Sequence, residues 1–361
     1  MTKNATPQAI IDHCREQSGF CRFLGSPFMA ELCEAMAHDI EAGGPVAELT
    51  RDWAGDPKRD ALSLRIAGYL HHSVLTVEAA DLSAVYPGTD KDWTMQRIWP
   101  LAALWLAQTV TAAKAFMISP PQTNEVRRSI ALLPGFLQLA ARYPGPMHIL
   151  ELGASAGLNQ NWDKFSYRTE SWSRRGSSQV QIDTDWRGPA PAHLQNILDV
   201  SSRAACDQNP VDVYDAAAAR RLKSYAWPDQ PERLTRLDAA ISLAVASGTR
   251  VEKADAADWL KVKLEARPQT GLTVVYHSVF LQYPPANVRT RIVDLITSAG
   301  ESANPDRPLA WLSMEPRYLF DRPNLDNVNP NLMITQLRMW PEGGDHTFLT
   351  TDGHVTRVQT L

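Results

Sequence analysis

Cysteine is scarce in this chain. Four occur in 361 residues, at positions 14, 21, 33 and 206, and no two stand in a Cys-x-x-Cys spacing. That argues against a disulfide framework and against the common zinc motifs; buried free thiols in a reducing cytoplasm are expected instead. Charge of either sign is not in excess. With 36 basic and 40 acidic residues, a net charge of -4 and an isoelectric point near 6.1, nothing draws the chain as a whole to a phosphate backbone, and nucleic acid is not an expected partner. Long apolar runs are missing too. The most apolar stretch, 101–118, is interrupted by Gln108, Thr109, Thr111 and Lys114, which fits a buried helix and not a membrane span. The start, 1–8, is polar and has no basic region leading into an apolar one, so no secretory signal is expected.

What remains is an ordinary globular composition, 44% hydrophobic and 21% charged, in a chain longer than one core usually supports. Two domains, or one enlarged domain, are therefore expected. Segments 9–20, 27–42, 61–75, 95–117 and 124–142 each repeat apolar residues at three- and four-residue spacing, with Gly, Pro or Asp clusters between them. A helical N-terminal domain or cap over residues 1–143 is expected, followed by an α/β domain over 144–361. Within the helical part, His71-His72 invites a metal reading. Adjacent residues point to different sides of a helix and no carboxylate follows at ligand spacing, so packing is the favoured role.

The second part begins at its most informative stretch, 147–162, which reads Met-His-Ile-Leu-Glu-Leu-Gly-Ala-Ser-Ala-Gly-Leu-Asn-Gln-Asn-Trp. A short apolar run meets a cluster of small residues (Gly153, Ala154, Ser155, Ala156, Gly157), and 158–165 can continue as a helix. Strand, glycine turn and helix start together make a ligand cradle. Two chemistries use such a turn. As Glu-Leu-Gly-x-x-x-Gly it resembles motif I of class I S-adenosylmethionine (SAM) methyltransferases, with Ser155 where the central glycine usually stands. As Gly153-x-Ser155-x-Gly157 it has the form of an α/β-hydrolase nucleophile elbow, with His346 or His354 as base. Glu151 favours the first reading, since an elbow has no need of that acid, and no oxyanion loop of the His-Gly-Gly type precedes the turn.

Further along, 180–182 reads as a strand ending at Asp183-Thr184-Asp185, which makes Asp183 and Asp185 candidates for ribose hydroxyls. After a strand at 249–253, Asp255 and Ala256, an acid followed by a small residue, resemble the methyltransferase element that hydrogen-bonds the adenine amino group. The segment 272–276 is the clearest later strand, and its carboxyl end carries His277, Gln282 and Tyr283. There His277 is a candidate general base that would also face the cofactor, while Gln282 and Tyr283 would address an acceptor, with Tyr283 a second catalytic candidate. Thr123 or Asn124 is expected to cap a helix, and Asn124 and Arg128 are candidate substrate contacts. Trp227-Pro228-Asp229 resembles the acid loop of protein tyrosine phosphatases, but no cysteine has an arginine six positions later, so a turn is the better reading. Strands at 309–314, 332–340 and 347–351 complete a sheet whose Gly343-Gly344 pair signals a hairpin. His346 and His354 lack a third metal ligand, and no metal is expected.

Several of these segments look like a bacterial family recorded as a domain of unknown function, number 2332: Gln122-Thr123-Asn124-Glu125, the 151–159 turn, Trp186-Arg187-Gly188, Trp227-Pro228-Asp229, His277-Ser278, Gln282-Tyr283 and Trp340-Pro341-x-Gly343-Gly344. The resemblance runs over nearly the whole chain. It implies a Rossmann-like class I methyltransferase sheet behind an N-terminal helical domain, with no established substrate. The expected function is thus transfer of a methyl group from SAM to a small molecule in the bacterial cytoplasm, away from membranes and nucleic acid. Glu151, Gly153, Ser155 and Gly157 would hold the methionine part, with Ala154 and Asn159 also against the cofactor. The alternatives are an α/β-hydrolase with Ser155 as nucleophile, or a nucleotide-binding protein without transfer activity.

Overall fold

The computed structural model describes residues 4–320, 325 and 327–361, so the first three residues of the polar start lie outside it. Two compact units are present, and neither is a continuous piece of chain. One comprises Met1–Thr123 with Tyr214–Thr235, the other Asn124–Val213 with Arg236–Leu361.

The first unit is helical because its sequence supplies both periodicity and start signals. Helices Pro7–Phe23 and Pro27–Glu41 each open on proline after a hydroxyl cap: Thr6 accepts from the Ala9 amide and Ser26 from that of Met29. Phe28, Leu32, Met36, Leu62, Ile66, Leu70 and Ile98 form a fully buried core, in which Phe28 meets Tyr86 edge-on at 5.0 Å. The expected helix over 95–117 is broken at Thr109 into Met95–Gln108 and Val110–Met117. Among the described residues no helix is long and apolar enough to cross a membrane. Trp227-Pro228-Asp229 closes this unit: the Asp229 carboxylate accepts from Ser26 Oγ (2.6 Å) and the Phe28 amide (3.0 Å), and Trp227 joins the same core. His71 is buried with Nδ1 on the Ser224 carbonyl at 3.1 Å, and burial lowers its imidazole to about 4, so it packs as a neutral ring.

The second unit is mixed α/β. Its strands are β1 (Met147–Leu152), β2 (Ser166–Arg168), β3 (Ser173–Arg174), β4 (Gln181–Asp183), β5 (Asp185–Arg187), β6 (Val200–Asp207), β7 (Glu252–Lys253), β8 (Leu272–Ser278), β9 (Leu309–Pro316), β10 (Met333–Trp340), β11 (Asp345–Thr351) and β12 (Arg357–Thr360). Nine of them form one sheet in the order β5-β12-β11-β10-β9-β8-β1-β6-β7; β3, β2 and β4 form a small separate sheet. The run from β7 to β9 is parallel, and β9 to β12 is an antiparallel meander. Parallel strands buried on both faces need largely apolar sequence, which β1 and β8 have apart from His148 and Glu151 in the first and Thr273, His277 and Ser278 in the second.

Alternation along the strands feeds two cores. Leu150, Leu152, Val275 and Leu309 face helices Ala256–Glu265 and Ala286–Glu301 through Trp259, Leu260, Ile292 and Ile296. On the opposite face, Phe136 of helix Ser129–Arg142 stacks on Trp162 at 3.8 Å and meets Tyr276 edge-on at 5.4 Å. Gly135 lets that helix approach closely, since a Cβ there would run into Leu312. This helix, the last of the periodic segments read from the N-terminal part, therefore belongs to the sheet's own unit.

Candidate functional site at the carboxyl end of β1

From β1 the chain moves outward to β6 and then β7, and comes back to the other side of β1 for β8 and β9. The strand order thus reverses between β1 and β8. In open parallel sheets the crevice beyond the strand ends at such a reversal is where ligands sit.

The turn leaving β1 lies at that point. Gly153, Ser155 and Gly157 all adopt positive φ, at 65°, 52° and 71°. For serine this is the left-handed region, which ordinarily costs an L-residue roughly 1–2 kcal/mol. Hydrogen bonds hold it there: the Ser155 amide donates to Asp207 Oδ2 at 2.8 Å, and its carbonyl accepts from the Val211 amide at 3.1 Å. The Ala154 amide donates to the Cys206 carbonyl at 3.0 Å, which ties the turn to the end of β6. A Cβ on Gly153 would collide with the ring of Phe280, and one on Gly157 with Gln160 and Val251. The glycines therefore make room for protein side chains as well as for the bend.

Beyond Gly157 the expected helix is replaced by two short 3-10 turns over Leu158–Lys164, meeting at Asn161. The polar side chains there bond elsewhere. Asn159 Nδ2 donates to the Glu125 carbonyl (3.3 Å), Gln160 Nε2 to the Arg250 carbonyl (3.1 Å) and Asn161 Nδ2 to Thr249 Oγ1 (2.8 Å), while the Leu158 amide is capped by Asn124 Oδ1 at 2.9 Å. Such side-chain bonds compete with helical ones. Ser155 Oγ and Asn159 Oδ1 are buried without a hydrogen-bond partner.

Glu151, two residues before Gly153, is 3% exposed, and its carboxyl accepts from the Tyr276 hydroxyl at 3.0 Å. The pairing of Glu151 with Tyr276 in neighbouring β1 and β8 brings the two side chains together. Burial pushes the Glu151 carboxyl up to about 8; the Tyr276 bond lowers it and the Asp207 carboxylate raises it further. Two carboxyls thus stand at the ends of adjacent strands, and Glu151 has no basic partner among the described residues.

Over residues 12–359 the chain matches the family described as "Uncharacterized protein conserved in bacteria (DUF2332)". It belongs to that family. No curated protein and no solved structure matches it.

For this DUF2332 chain, the residues expected at the site divide clearly. Glu151, Gly153, Ala154, Ser155, Gly157, Asn159 and Asn124 come together at the turn, and Arg128 reaches towards the Ser278 carbonyl at the end of β8. Asp255 and Ala256 follow closely, because the Ala254 amide donates to the Asp207 carbonyl at 3.0 Å. Asp255 Oδ1 caps the next helix through the Ala257 and Asp258 amides.

Asp183 and Asp185 stand elsewhere, which corrects their expected place. Asp183 ends β4 in the small sheet and pairs with Arg168 at 2.8 Å; Asp185 opens β5 at the sheet's outer edge and pairs with Arg187 and Arg357. The acid at the end of the strand next to β1 is Asp207. No local pattern marks it, because Val200–Asp207, Val-Ser-Ser-Arg-Ala-Ala-Cys-Asp, carries little strand signal of its own.

His277 is also corrected. The ring is fully buried, with Nδ1 2.6 Å from Glu315 Oε1 and Nε2 2.9 Å from the Trp311 indole nitrogen. Indole only donates, so Nε2 is the acceptor and Nδ1 carries the proton. The lone pair a general base needs is occupied. Glu315 also accepts from the Phe280 and Leu281 amides, so the His277-Glu315 pair fixes the turn that puts Phe280 over Gly153. Gln282 accepts from the Tyr318 hydroxyl at 3.1 Å, and Tyr283 is 74% exposed, beyond the end of β8. His346 lies in β11, and among the described residues no group of three or more His, Cys, Asp or Glu is arranged to hold a metal.

Proposed function

We propose that this chain is a SAM-dependent methyltransferase acting on a small-molecule acceptor. The observation that carries the reading is the pair of acids at the strand-order reversal: buried Glu151, without a basic partner among the described residues, next to Asp207. Such a pair disfavours an anion and suits a cation, as the ammonium and sulfonium of SAM both are. The parallel run β7-β6-β1-β8-β9, with a glycine turn after its first strand, supports the same reading at the level of fold.

The donor set suits this cofactor. Glu151 would hold the ammonium, and Asp207 the ribose hydroxyls in place of Asp183 and Asp185. Asp255 and Ala256 would meet the adenine. The unpartnered Ser155 Oγ and Asn159 Oδ1 remain for polar groups of the methionine end. When bound, the cofactor supplies a methyl group on a positively charged sulfur. The chain's own part is orientation: Tyr276 steadies Glu151, Asp207 locks the turn, and the His277-Glu315 pair sets the Phe280 wall. His277 is a positioning residue in this scheme.

The hydrolase alternative has one feature in its favour, the positive φ at Ser155. Against it, Ser155 Oγ has no hydrogen-bond partner, so no imidazole is in place to activate it.

Calorimetry on the full chain with SAM and S-adenosylhomocysteine tests the proposal. Saturable binding of both is expected, weakened about tenfold or more by Glu151→Gln and by Asp207→Asn. Absence of binding to either ligand overturns it.

A further inference from the structure

A second polar cleft lies within the same unit, lined by Arg127, Arg168, Thr169, Glu170, Asp183, Thr184 and Thr356. Arg127 reaches it from the 3-10 turn Val126–Arg128. Glu125 caps that turn by accepting from the Arg127 amide at 3.0 Å, and Val126 is buried, so the Arg127 backbone is fixed. Its guanidinium is not committed. Arg127 Nε is buried with no hydrogen-bond partner, and the side chain makes no ion pair among the described residues.

The neighbours narrow what would satisfy it. Thr169 Oγ1 bonds the Trp172 backbone, Thr184 Oγ1 the Val355 and Thr356 carbonyls, and Thr356 Oγ1 the Asp352 carboxylate. Their hydroxyl protons are spent, so the specific elements are charges. Of these, Arg168 and Asp183 neutralise each other at 2.8 Å. That leaves one cation, Arg127, and one anion, exposed Glu170, on the same cleft without an ion pair between them.

The geometry points to a binding site for a small zwitterion of the α-amino-acid type, its carboxylate taken end-on by the two Arg127 Nη groups and its ammonium facing Glu170. A simple anion would meet two carboxylates, and a simple cation would leave Arg127 unmatched. An oxyanion accepting two parallel N–H bonds from one guanidinium is the strong form of this contact. The site does not depend on the methyl-transfer reading, since the Glu151 crevice contributes no residue to it.

The test is calorimetry on the full chain with glycine, L-alanine and L-glutamate, against acetate and ethylamine as single-charge controls, all at millimolar concentration. Saturable binding of at least one amino acid and of neither control is expected. Arg127→Met should weaken it at least tenfold and Glu170→Gln several-fold, with unchanged melting temperatures. Acetate binding as tightly as the amino acids, no binding by any amino acid, or equal affinity in Arg127→Met would each overturn the assignment.

Discussion

Two glutamates end neighbouring regions of the same sheet, and both are withdrawn from water. Glu315, at the end of β9, is 0% exposed and accepts from two backbone amides and the His277 ring. Glu151, towards the end of β1, is 3% exposed and accepts one phenol hydrogen bond, while the negative charge of Asp207 raises its pKa further. Burial alone does not mark a functional acid. Glu315 is matched by donors that pin a loop, whereas Glu151 is kept short of them, and a shortfall of this kind is where an incoming positive charge gains most.

The contrast can be broken at either end. Glu315→Ala should have the largest effect. It strands two amides and the imidazole in a closed interior, and about 3–5 kcal/mol of unfolding free energy should be lost in urea titrations. A loss below 1 kcal/mol would mean that the matched acid is no anchor.

Next comes Glu151→Gln, whose expected effect has the opposite sign at neutral pH. The folded-state carboxyl stands at about 8, above its ordinary value of 4.5, so its contribution to stability is full below about pH 4.5 and fades as pH rises through 8. Wild type should therefore lose stability, by up to a few kcal/mol, across that window, and Glu151→Gln should remove this part of the slope. Parallel stability-pH curves for the two proteins would dissolve the contrast. The smallest effect belongs to Ser155→Gly. Relief of the positive φ should leave stability within about 1 kcal/mol of wild type, on the favourable side, by thermal melting.

How far the sequence foretold this arrangement follows from where each determinant sits. β1, β8, the glycine bend and Glu151 were legible because each is local: an apolar run, a strand of branched residues, small residues where the chain must turn. The Gly343-Gly344 signal likewise falls where β10 passes to β11. Asp207 was not legible, since β6 is a strand chiefly through its pairing with β1 and β7. Asp183 and Asp185 misled because an acid after a short strand says nothing of which sheet that strand enters. The fate of His277 turned on Trp311, 34 positions away, and on Glu315, 38 away, partners that no local pattern announces. The 3-10 path after Gly157 was hidden likewise, since Asn161 finds Thr249 only once the chain has folded.

The bond from Ser26 to Asp229 spans 203 positions, and Trp227 sits in the same helical core. During synthesis from the amino end, the opening helices therefore emerge long before the segment that completes them. A fragment ending near residue 123 would leave the amide of Phe28 and the hydroxyl of Ser26 without their acceptor, and the seat of Trp227 and Tyr225 unfilled. Expression of the helical half by itself should thus give a poorly folded product, while a fusion that supplies 214–235 through a flexible linker restores its missing closure.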